Sequence, residues 1–470
     1  MKRMRKAGGG GVIERVVLVR LLLVCVVWCW ALPLMAQDAG GRKSFALVGG
    51  EVRTVAGEVI EGGVVIVSAQ GEILEVGRAG VVKVGEGIEQ IDVSGKIITP
   101  GLMDAHTSLG LVEISAISEL RDTSSGEDGE VHASYQAGES FHEHSAVLAV
   151  QRAGGVTDVI VAPEGGIVSG QSAHVVLEGE GLKSGEVERM GVAQYITLGS
   201  RGAAMIKGSR GTLVEALREL YEDADYYTKN QSLFDSNRMR KLSASASSLR
   251  ALQEGKRSGQ PVVFVASLAR DILWALKFAK EQEVRPIILG AEEAWMVLDE
   301  LKEAGAFVIL DAMTNLPDRL ESTASRSDNA ALCEEAGVPV MLATFSAHNS
   351  RKLRQMAGNA VRAGMSQEAA LRSVTLDVAR GFGLEKTYGS IEKGKRANLV
   401  VWSGDPFEFA TRVETMYIDG EEVELESRQD KLFERYRTLR RRQEPAPLKE
   451  EEEGDRAQKD QVTPHREEQR

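Results

Sequence analysis

The chain is nearly free of cysteine. It contains three cysteines in 470 residues, and two of them, Cys25 and Cys29, lie within the first 36 residues. If that segment is removed, only Cys333 remains, and a single cysteine cannot form an internal disulfide. A scaffold stabilised by disulfides is therefore excluded for the shortened chain.

The chain also lacks an excess of positive charge. Its formal net charge is -12, from 57 basic and 69 acidic residues. Residues 1–36 contain six basic residues and one acidic residue, Glu14, so the rest of the chain has a formal charge of -17. Nucleic acids are bound mainly through Lys and Arg that neutralise phosphates. This acidic composition argues against nucleic acid as a partner and favours a small-molecule ligand.

The main apolar run is short. Residues 21–35 contain no charged side chain, but fifteen residues fall below the roughly 20 that a membrane-spanning helix needs. The run follows the six basic residues and precedes Ala36, a small residue suited to signal cleavage. Residues 1–36 are therefore predicted to be an export signal that directs the protein to the periplasm or outside the cell, with an uncleaved N-terminal anchor as the alternative.

The remaining sequence divides into three parts. Short β-branched runs separated by glycine predict one composite β-sandwich from residues 43–99 and 387–426. Strand and helix patterns alternate over residues 100–386, which predicts a parallel α/β fold. Strands are expected at 156–161, 261–266, 284–289, 306–310 and 338–344, and helices at 269–282, 292–304, 329–336, 350–363 and 367–382. Residues 430–470 are rich in charge and are predicted to be a disordered tail that begins with a fraying helix through 431–442.

Several motifs together resemble a known family. They are Ile98–Ser108, Gly154–Val161 and Tyr388–Pro406, and agreement runs from about Ala46 to Gly420. These stretches resemble imidazolonepropionase-like and prolidase-like members of the amidohydrolase superfamily. A closer similarity is to exported, amidohydrolase-related bacterial proteins, which share forms of Gly110–Ile114, Arg121-Asp122, Ser169–Ser172 and His348-Asn349 followed by Arg351–Val361.

The resemblance implies a fold, an activity and a cofactor. The implied fold is a TIM-like (β/α)8 barrel with a composite β-sandwich made from both ends of the chain. The implied activity is hydrolysis of a C–N bond in a small non-peptide amide or a dipeptide. The implied cofactor is one or two zinc-like divalent ions at the carboxyl-terminal ends of the barrel strands, where they would activate a water molecule.

Most of the metal ligands that the resemblance implies are replaced in this chain. The first strand would supply two histidines, and His106 occupies the first position while Ser108 occupies the second. A serine hydroxyl is a much weaker zinc ligand than an imidazole. The other ligand positions fall on or near Val176, Val265, Leu289 or Gly290, and Phe345 or Ser346. His106 is thus the retained candidate metal ligand, and we expect a divalent ion to be absent or weakly bound.

Five further residues are candidates for function. His174 lies two residues from Val176, on the same face if the segment is a strand, and could act as a ligand or an acid/base group. His348 follows the last predicted strand and could enter the barrel mouth. Glu113, Arg121 and Asp122 follow the first strand and could bind a polar or carboxylate-bearing ligand, although a role as surface charge is equally consistent with their positions.

Two hypotheses about function remain open from the sequence. In the first hypothesis, the protein is a hydrolase with a reduced or rearranged site, in which His106, His174 or His348 acts with one ion or with none. Alternatively, it is a non-catalytic relative that binds a ligand, forms a homo-oligomer or pairs with an active amidohydrolase subunit. The replaced ligands favour the second hypothesis, and the family resemblance favours the first.

Overall fold

One β-sheet contains strands from both ends of the chain. The computed structural model describes residues 42–442 except 125–129, 180–183, 314–316 and 318, and it does not describe the side chains of 438–442. The N-terminal strands of this sheet are β1 (Phe45–Arg53), β2 (Val59–Val67), β3 (Ile73–Arg78), β4 (Glu89–Asp92) and β5 (Ile97–Pro100). Its C-terminal strands are β14 (Leu399–Trp402), β15 (Val413–Ile418) and β16 (Glu421–Glu422). The composite β-domain therefore joins both segments named by the sequence, while the predicted signal at 1–36 lies outside the described residues.

The two segments meet where β5 pairs with β14. The sheet order is β16-β15-β14-β5-β1-β2-β3, and β4 pairs with β1 outside this path. Pro100 lies opposite Leu399 in an antiparallel register, while Ile97 lies opposite Glu51 in a parallel one. The chain leads from β5 directly into the barrel, because only Gly101 separates the end of β5 at Pro100 from the start of the first barrel strand at Leu102.

A second eight-stranded sheet forms the barrel. Its strands are β6 (Leu102–Thr107), β7 (Val156–Val161), β8 (Val168–Val176), β9 (Glu186–Thr197), β10 (Val262–Ala266), β11 (Pro286–Gly290), β12 (Phe307–Leu310) and β13 (Val340–Leu342), joined in that order. The ends of the sheet approach each other, since the backbone N–H of Phe345 donates to the carbonyl of His106 at 3.2 Å. The TIM-like barrel implied by the sequence is confirmed.

The third barrel strand departs from the all-parallel pattern. β8 is antiparallel to both of its neighbours, β7 and β9. Six residues, 162–167, connect β7 to β8. A parallel crossover needs a dozen or more residues, so this short connection forces the chain to reverse. From the sequence, β8 was only a conditional strand prediction, and β9 was not predicted.

Helices surround the other strands. They are α1 (Ala146–Arg152), α2 (Gly199–Met205), α3 (Arg210–Lys229), α4 (Gln231–Asp235), α5 (Ala246–Ser258), α6 (Ala269–Gln282), α7 (Leu298–Glu303), α8 (Asn329–Ala336), α9 (Leu353–Arg362), α10 (Gln367–Ser373) and α11 (Leu376–Gly381). The bounds of α6 and α8 confirm the predictions for 269–282 and 329–336. The predicted helix at 367–382 is instead two helices, interrupted at Val374 and Thr375.

Strand β14 contributes to both hydrophobic cores, because its side chains point alternately to the two faces of the strand. Val400 and Trp402 pack into the barrel core, while Leu399 and Val401 pack into the core of the composite sheet. Successive strand residues point to opposite faces, so one strand can serve both cores. The compact unit that contains both sheets extends to Leu425.

A second unit begins at Glu426 and contains the helix α12 (Arg428–Arg442). This helix starts three residues before the helix that the sequence predicted, while residues 443–470 of the predicted disordered tail lie outside the described residues. Within the described part of the chain, no helix is both long and apolar enough to cross a membrane.

Candidate functional site

His106 stands at the carboxyl-terminal end of the first barrel strand, β6. Its Nδ1 atom lies 3.4 Å from the hydroxyl of Tyr195, which comes from β9. The ring of Phe345, which follows β13, packs against the imidazole with centroids 5.1 Å apart. Contacts with two other strands of the barrel place this imidazole in the wall of the barrel mouth.

Burial keeps the His106 imidazole neutral. The protein around the ring lowers the pKa of His106 to about 4, because protonation would place a charge in a poorly solvated position. Above about pH 5 the ring therefore retains a lone pair that can accept a hydrogen bond or a proton. The burial of Tyr195 has the opposite effect on a phenol and raises its pKa, so its hydroxyl stays protonated.

Asp104, two residues before His106, lies in a closed hydrogen-bond network. Its carboxylate accepts hydrogen bonds from the Thr344 hydroxyl, from the Thr344 backbone N–H at 3.1 Å and from the Ser350 hydroxyl at 2.8 Å. These bonds join the first barrel strand to the segment after the last one. Burial nevertheless raises the pKa of Asp104 to about 6, and the hydrogen bonds offset only part of that effect.

The raised pKa of Asp104 predicts a pH-dependent contribution to stability. A carboxyl whose folded pKa exceeds its unfolded value of 3.8 stabilises the fold most fully below pH 3.8, and this contribution is lost as the pH rises through about 6. We therefore expect Asp104→Asn to destabilise the protein by about 2 kcal/mol more at pH 4 than at pH 7. Urea unfolding of the wild type and the variant at the two pH values measures this difference. His106 is present in both proteins, so its own contribution to the pH dependence of unfolding largely cancels in the comparison. An equal destabilisation at both pH values would contradict the raised pKa.

A cavity of about 230 Å³ opens beside Phe345 at the ends of β11 and β12. Its polar lining comes from the segments that follow these strands: Glu292, Asp311, Arg319, Ser322, Ser325, Arg326, Ser327 and Asn329. Glu292 and Arg319 form an ion pair across it. The second oxygen of Glu292, Oε2, is buried and has no hydrogen-bond partner among the described residues. One oxygen of the Glu292 carboxylate therefore retains hydrogen-bonding capacity that the described residues do not use.

Glu292 and Arg319 were not predicted as site residues from the sequence. They are 27 residues apart and belong to no motif, so the charge pattern alone offered no reason to pair them. The one available signal was position, because Glu292 follows a predicted barrel strand by three residues, and loops at that end of a barrel line active sites.

Phe345 adopts an unusual backbone conformation at this mouth. Its φ angle is +53°, in the left-handed region that non-glycine residues seldom occupy. Such strain costs roughly 1 kcal/mol or more and persists where surrounding contacts enforce it. Here the backbone bond to His106 and the ring contact with its imidazole hold Phe345 in place.

Comparisons with known proteins agree with this architecture. The Amidohydrolase family pattern matches residues 278–423. A probable imidazolonepropionase of Mus musculus is 26% identical over 403 residues, covering 77% of this chain and 88% of the mouse protein. An amidohydrolase from Thermotoga maritima MSB8 superposes with a TM-score of 0.71 at 25% identity, covering 81% of this chain and 99% of the other. The chain belongs to the amidohydrolase superfamily.

Other similarities are shorter or support only the fold. An imidazolonepropionase of Flavobacterium johnsoniae is 33% identical over 98 residues, which cover 18% of this chain and 24% of that protein. The structure of molinate hydrolase superposes with a TM-score of 0.51 at 18% identity, over 82% of this chain and 95% of the other. The latter likeness shows that the two proteins share a fold.

The described residues around His106 do not include the donor set of a metal centre with several protein ligands. Among the described residues there is no group of three or more His, Cys, Asp or Glu side chains that could hold a metal ion. Around His106 the nearest rings belong to Tyr195 and Phe345, and neither supplies a strong ligand for a divalent ion. Binding a zinc-like ion requires several donors in fixed geometry.

His174 does not share the contacts of His106. It lies in β8, fully buried, where its Nε2 donates to Asp158 Oδ1 at 2.8 Å. Its ring packs against Tyr388 with centroids 4.8 Å apart. The same carboxylate of Asp158 accepts from the amide of Asn398 at 3.0 Å. His174 thus belongs to a network that connects the barrel to the segment leading into β14, and its proposed chemical role remains a prediction.

His348 lies in the turn after β13, as expected, and is partly exposed. Its backbone N–H donates to the Ser346 hydroxyl at 3.3 Å, and its carbonyl accepts from Arg351 at 3.3 Å. These bonds organise the turn ahead of α9. They do not connect the His348 side chain to His106.

Glu113, Arg121 and Asp122 lie in one hairpin-like loop after β6. Val112 and Arg121 form an antiparallel bridge, which brings the loop ends together. Glu113 Oε1 lies 3.2 Å from Nδ1 of His142, while Arg121 and Asp122 are exposed. The three side chains share a loop, but none of them lines the cavity beside Phe345.

Proposed function

We propose that this superfamily member hydrolyses a C–N bond in a small substrate bound at the barrel mouth, close to His106. The observation that supports this most directly is a neutral imidazole at the end of the first barrel strand, whose ring packs against Phe345, a residue that also lines a cavity with a carboxylate and guanidinium groups. The similarity to imidazolonepropionases and to the Thermotoga amidohydrolase supports the same class of reaction.

In this proposal His106 accepts a proton from the water as its oxygen bonds to the carbon, and it then gives that proton to the nitrogen as the C–N bond breaks. A base must be unprotonated to accept the proton, and the low pKa of His106 meets that condition at neutral pH. Glu292 and Arg319, which line the cavity, would orient polar groups of the substrate. The acid limb of the pH–rate profile is then expected near pH 4 rather than near the ordinary histidine value of about 6.5.

A second candidate function is ligand binding without hydrolysis, alone or as the partner of an active superfamily member. It is favoured by one specific observation, namely that the described residues near His106 do not include the further donors of a metal centre. Such a protein would retain the barrel and its mouth cavity as a binding scaffold.

The His106→Ala variant is expected to lower kcat/KM by about 100-fold or more, the usual contribution of a general base. The assay would follow hydrolysis of dipeptides ending in proline, N-acyl amino acids and cyclic amides by the purified wild type, by His106→Ala and by a matched control, His144→Ala. His144 is an exposed histidine in the loop before α1, so its loss should leave the rate unchanged.

Metal content measured on the same preparations separates the alternatives. Hydrolysis without bound metal, lost in His106→Ala, would support the proposed reaction. Stoichiometric metal in the wild type that is lost in His106→Ala would show that the protein has further metal ligands and that their positions in the sequence were assigned wrongly. No hydrolysis by the folded wild type in this panel would favour the binding function instead.

A further inference from the structure

Helix α12 has a well-defined beginning. The hydroxyl of Ser427 accepts from the backbone N–H of Asp430 at 3.2 Å, and the Asp430 carboxylate accepts from the backbone N–H of Ser427 at 2.9 Å. This reciprocal arrangement is a capping box, which satisfies helix donors that would otherwise lack partners. The helix is therefore encoded by its own sequence at the start of the second unit.

The helix is strongly basic although the protein as a whole is acidic. Residues 428–442 contain seven Lys and Arg residues and only two acidic ones, Asp430 and Glu434, which is a formal charge of +5. One of the acidic residues, Glu434, pairs with Arg437 at 2.8 Å. By residue count the helix therefore has an excess of positive charge.

Three apolar side chains lie close together on this helix. Leu432, Phe433 and Tyr436 are exposed by 36%, 64% and 56%. At 100° per residue they fall within an arc of about 100°, so they form one narrow apolar face. An exposed aromatic and aliphatic face bordered by basic residues is typical of helices that lie in a membrane interface.

We propose that α12 binds an anionic lipid surface, with Leu432, Phe433 and Tyr436 entering the interface and the basic residues contacting lipid headgroups. Clusters of four to eight Lys or Arg on an amphipathic helix are attracted to anionic lipid. A nucleic acid would satisfy the basic residues but would not bury a leucine beside two aromatic rings. The observations therefore favour a lipid surface, which satisfies both faces of the helix.

The test uses the full-length protein and sedimentation with vesicles of phosphatidylcholine alone or with phosphatidylglycerol. We expect binding to the anionic vesicles to be at least about tenfold stronger, and to weaken as salt rises from roughly 50 to 500 mM. Equal binding to both vesicles, or no binding to either, would overturn the proposal.

Two pairs of variants separate the contributions of the two faces. Arg441→Gln with Arg442→Gln should weaken vesicle binding by about tenfold or more, whereas Lys256→Gln with Arg257→Gln, which removes the same charge from the end of α5, should not. Phe433→Ser with Tyr436→Ser should weaken binding as well, while Phe409→Ser, at a residue that is 85% exposed, should not. If each control lowers binding as much as its matched variant, net charge or general hydrophobicity explains the binding and α12 does not.

The acidic run at 450–453 has the opposite charge to the basic helix, so the test must distinguish it from lipid as an occupant of that helix. Replacing these four glutamates with glutamine in the full chain would strengthen binding only modestly if the lipid is the natural occupant. If the wild type ignores anionic vesicles and the variant binds them, the acidic run occupies the helix and the proposal is wrong.

Discussion

Replacing Trp402 with alanine is expected to lower the free energy of unfolding by about 4 kcal/mol. Trp402 is fully buried, and its indole N–H donates to the Thr99 hydroxyl at 2.8 Å. The side chain belongs to the barrel core although its strand, β14, belongs to the composite sheet. Its removal leaves a cavity between the two sheets and takes one donor away from the Thr99 hydroxyl, which still donates to the Pro100 carbonyl at 2.8 Å.

Urea unfolding measures this loss, with Phe409→Ala as a control that should change the free energy of unfolding by no more than about 0.5 kcal/mol. A loss below about 1 kcal/mol in Trp402→Ala would contradict the role assigned to the indole.

Gly155 offers a second check, because a Cβ added there would lie 2.3 Å from the indole ring. Gly155→Ala should therefore be strongly destabilising in the wild type and much less so when Trp402 is already alanine. Some strain should remain in the double variant because the φ angle of Gly155 is +86°.

Asp158→Ala is the other substitution with a large expected effect, a loss of about 3–5 kcal/mol. The Asp158 carboxylate accepts hydrogen bonds from His174, from Asn398 and from the Thr157 hydroxyl at 2.6 Å. All four residues are buried. Removing the carboxylate leaves several buried donors without a partner, which costs more than the bonds contributed.

A double-mutant cycle with His174→Ala tests whether the pair acts as a unit. We expect the double variant to lose about 1–3 kcal/mol less than the sum of the single losses, because the second substitution removes a group that the first left unpaired. Additive losses would show that Asp158 and His174 stabilise the fold independently.

The activity of a folded His174→Gln protein distinguishes a structural role of His174 from a catalytic role. Near-complete loss of hydrolysis with normal stability would restore His174 as a catalytic candidate.

The barrel and the composite sheet were predictable because their signals are local or come from recognisable motifs. The strand at 156–161 and the helices at 269–282 and 329–336 were predicted at their observed bounds from apolar spacing and turn residues. Strand β9 was missed because its first half is polar and partly exposed, so the run is not continuously apolar. The reversal of β8 could have been deduced from the six-residue connection before it, since connection length limits strand direction.

The site was less predictable than the fold. His106 was identified from its motif, and the positions where other ligands were expected are occupied by residues such as Val265 and Phe345. The ion pair between Glu292 and Arg319 was not visible, because it forms between two loops that meet only when β11 and β12 lie side by side in the barrel.

The sequence by itself determined the superfamily resemblance, the alternation of strands and helices and the joining of both chain ends in one domain, and it led to the prediction that most expected metal ligands are replaced. These properties depend on residue type and on order along the chain. Only the tertiary structure showed that His106 contacts Tyr195 and Phe345, that His174 pairs with Asp158 away from those rings, and that a charged cavity opens beside Phe345. Burial and distance between residues far apart in sequence set the pKa of His106 and the partner of His174, and neither quantity exists until the barrel has closed.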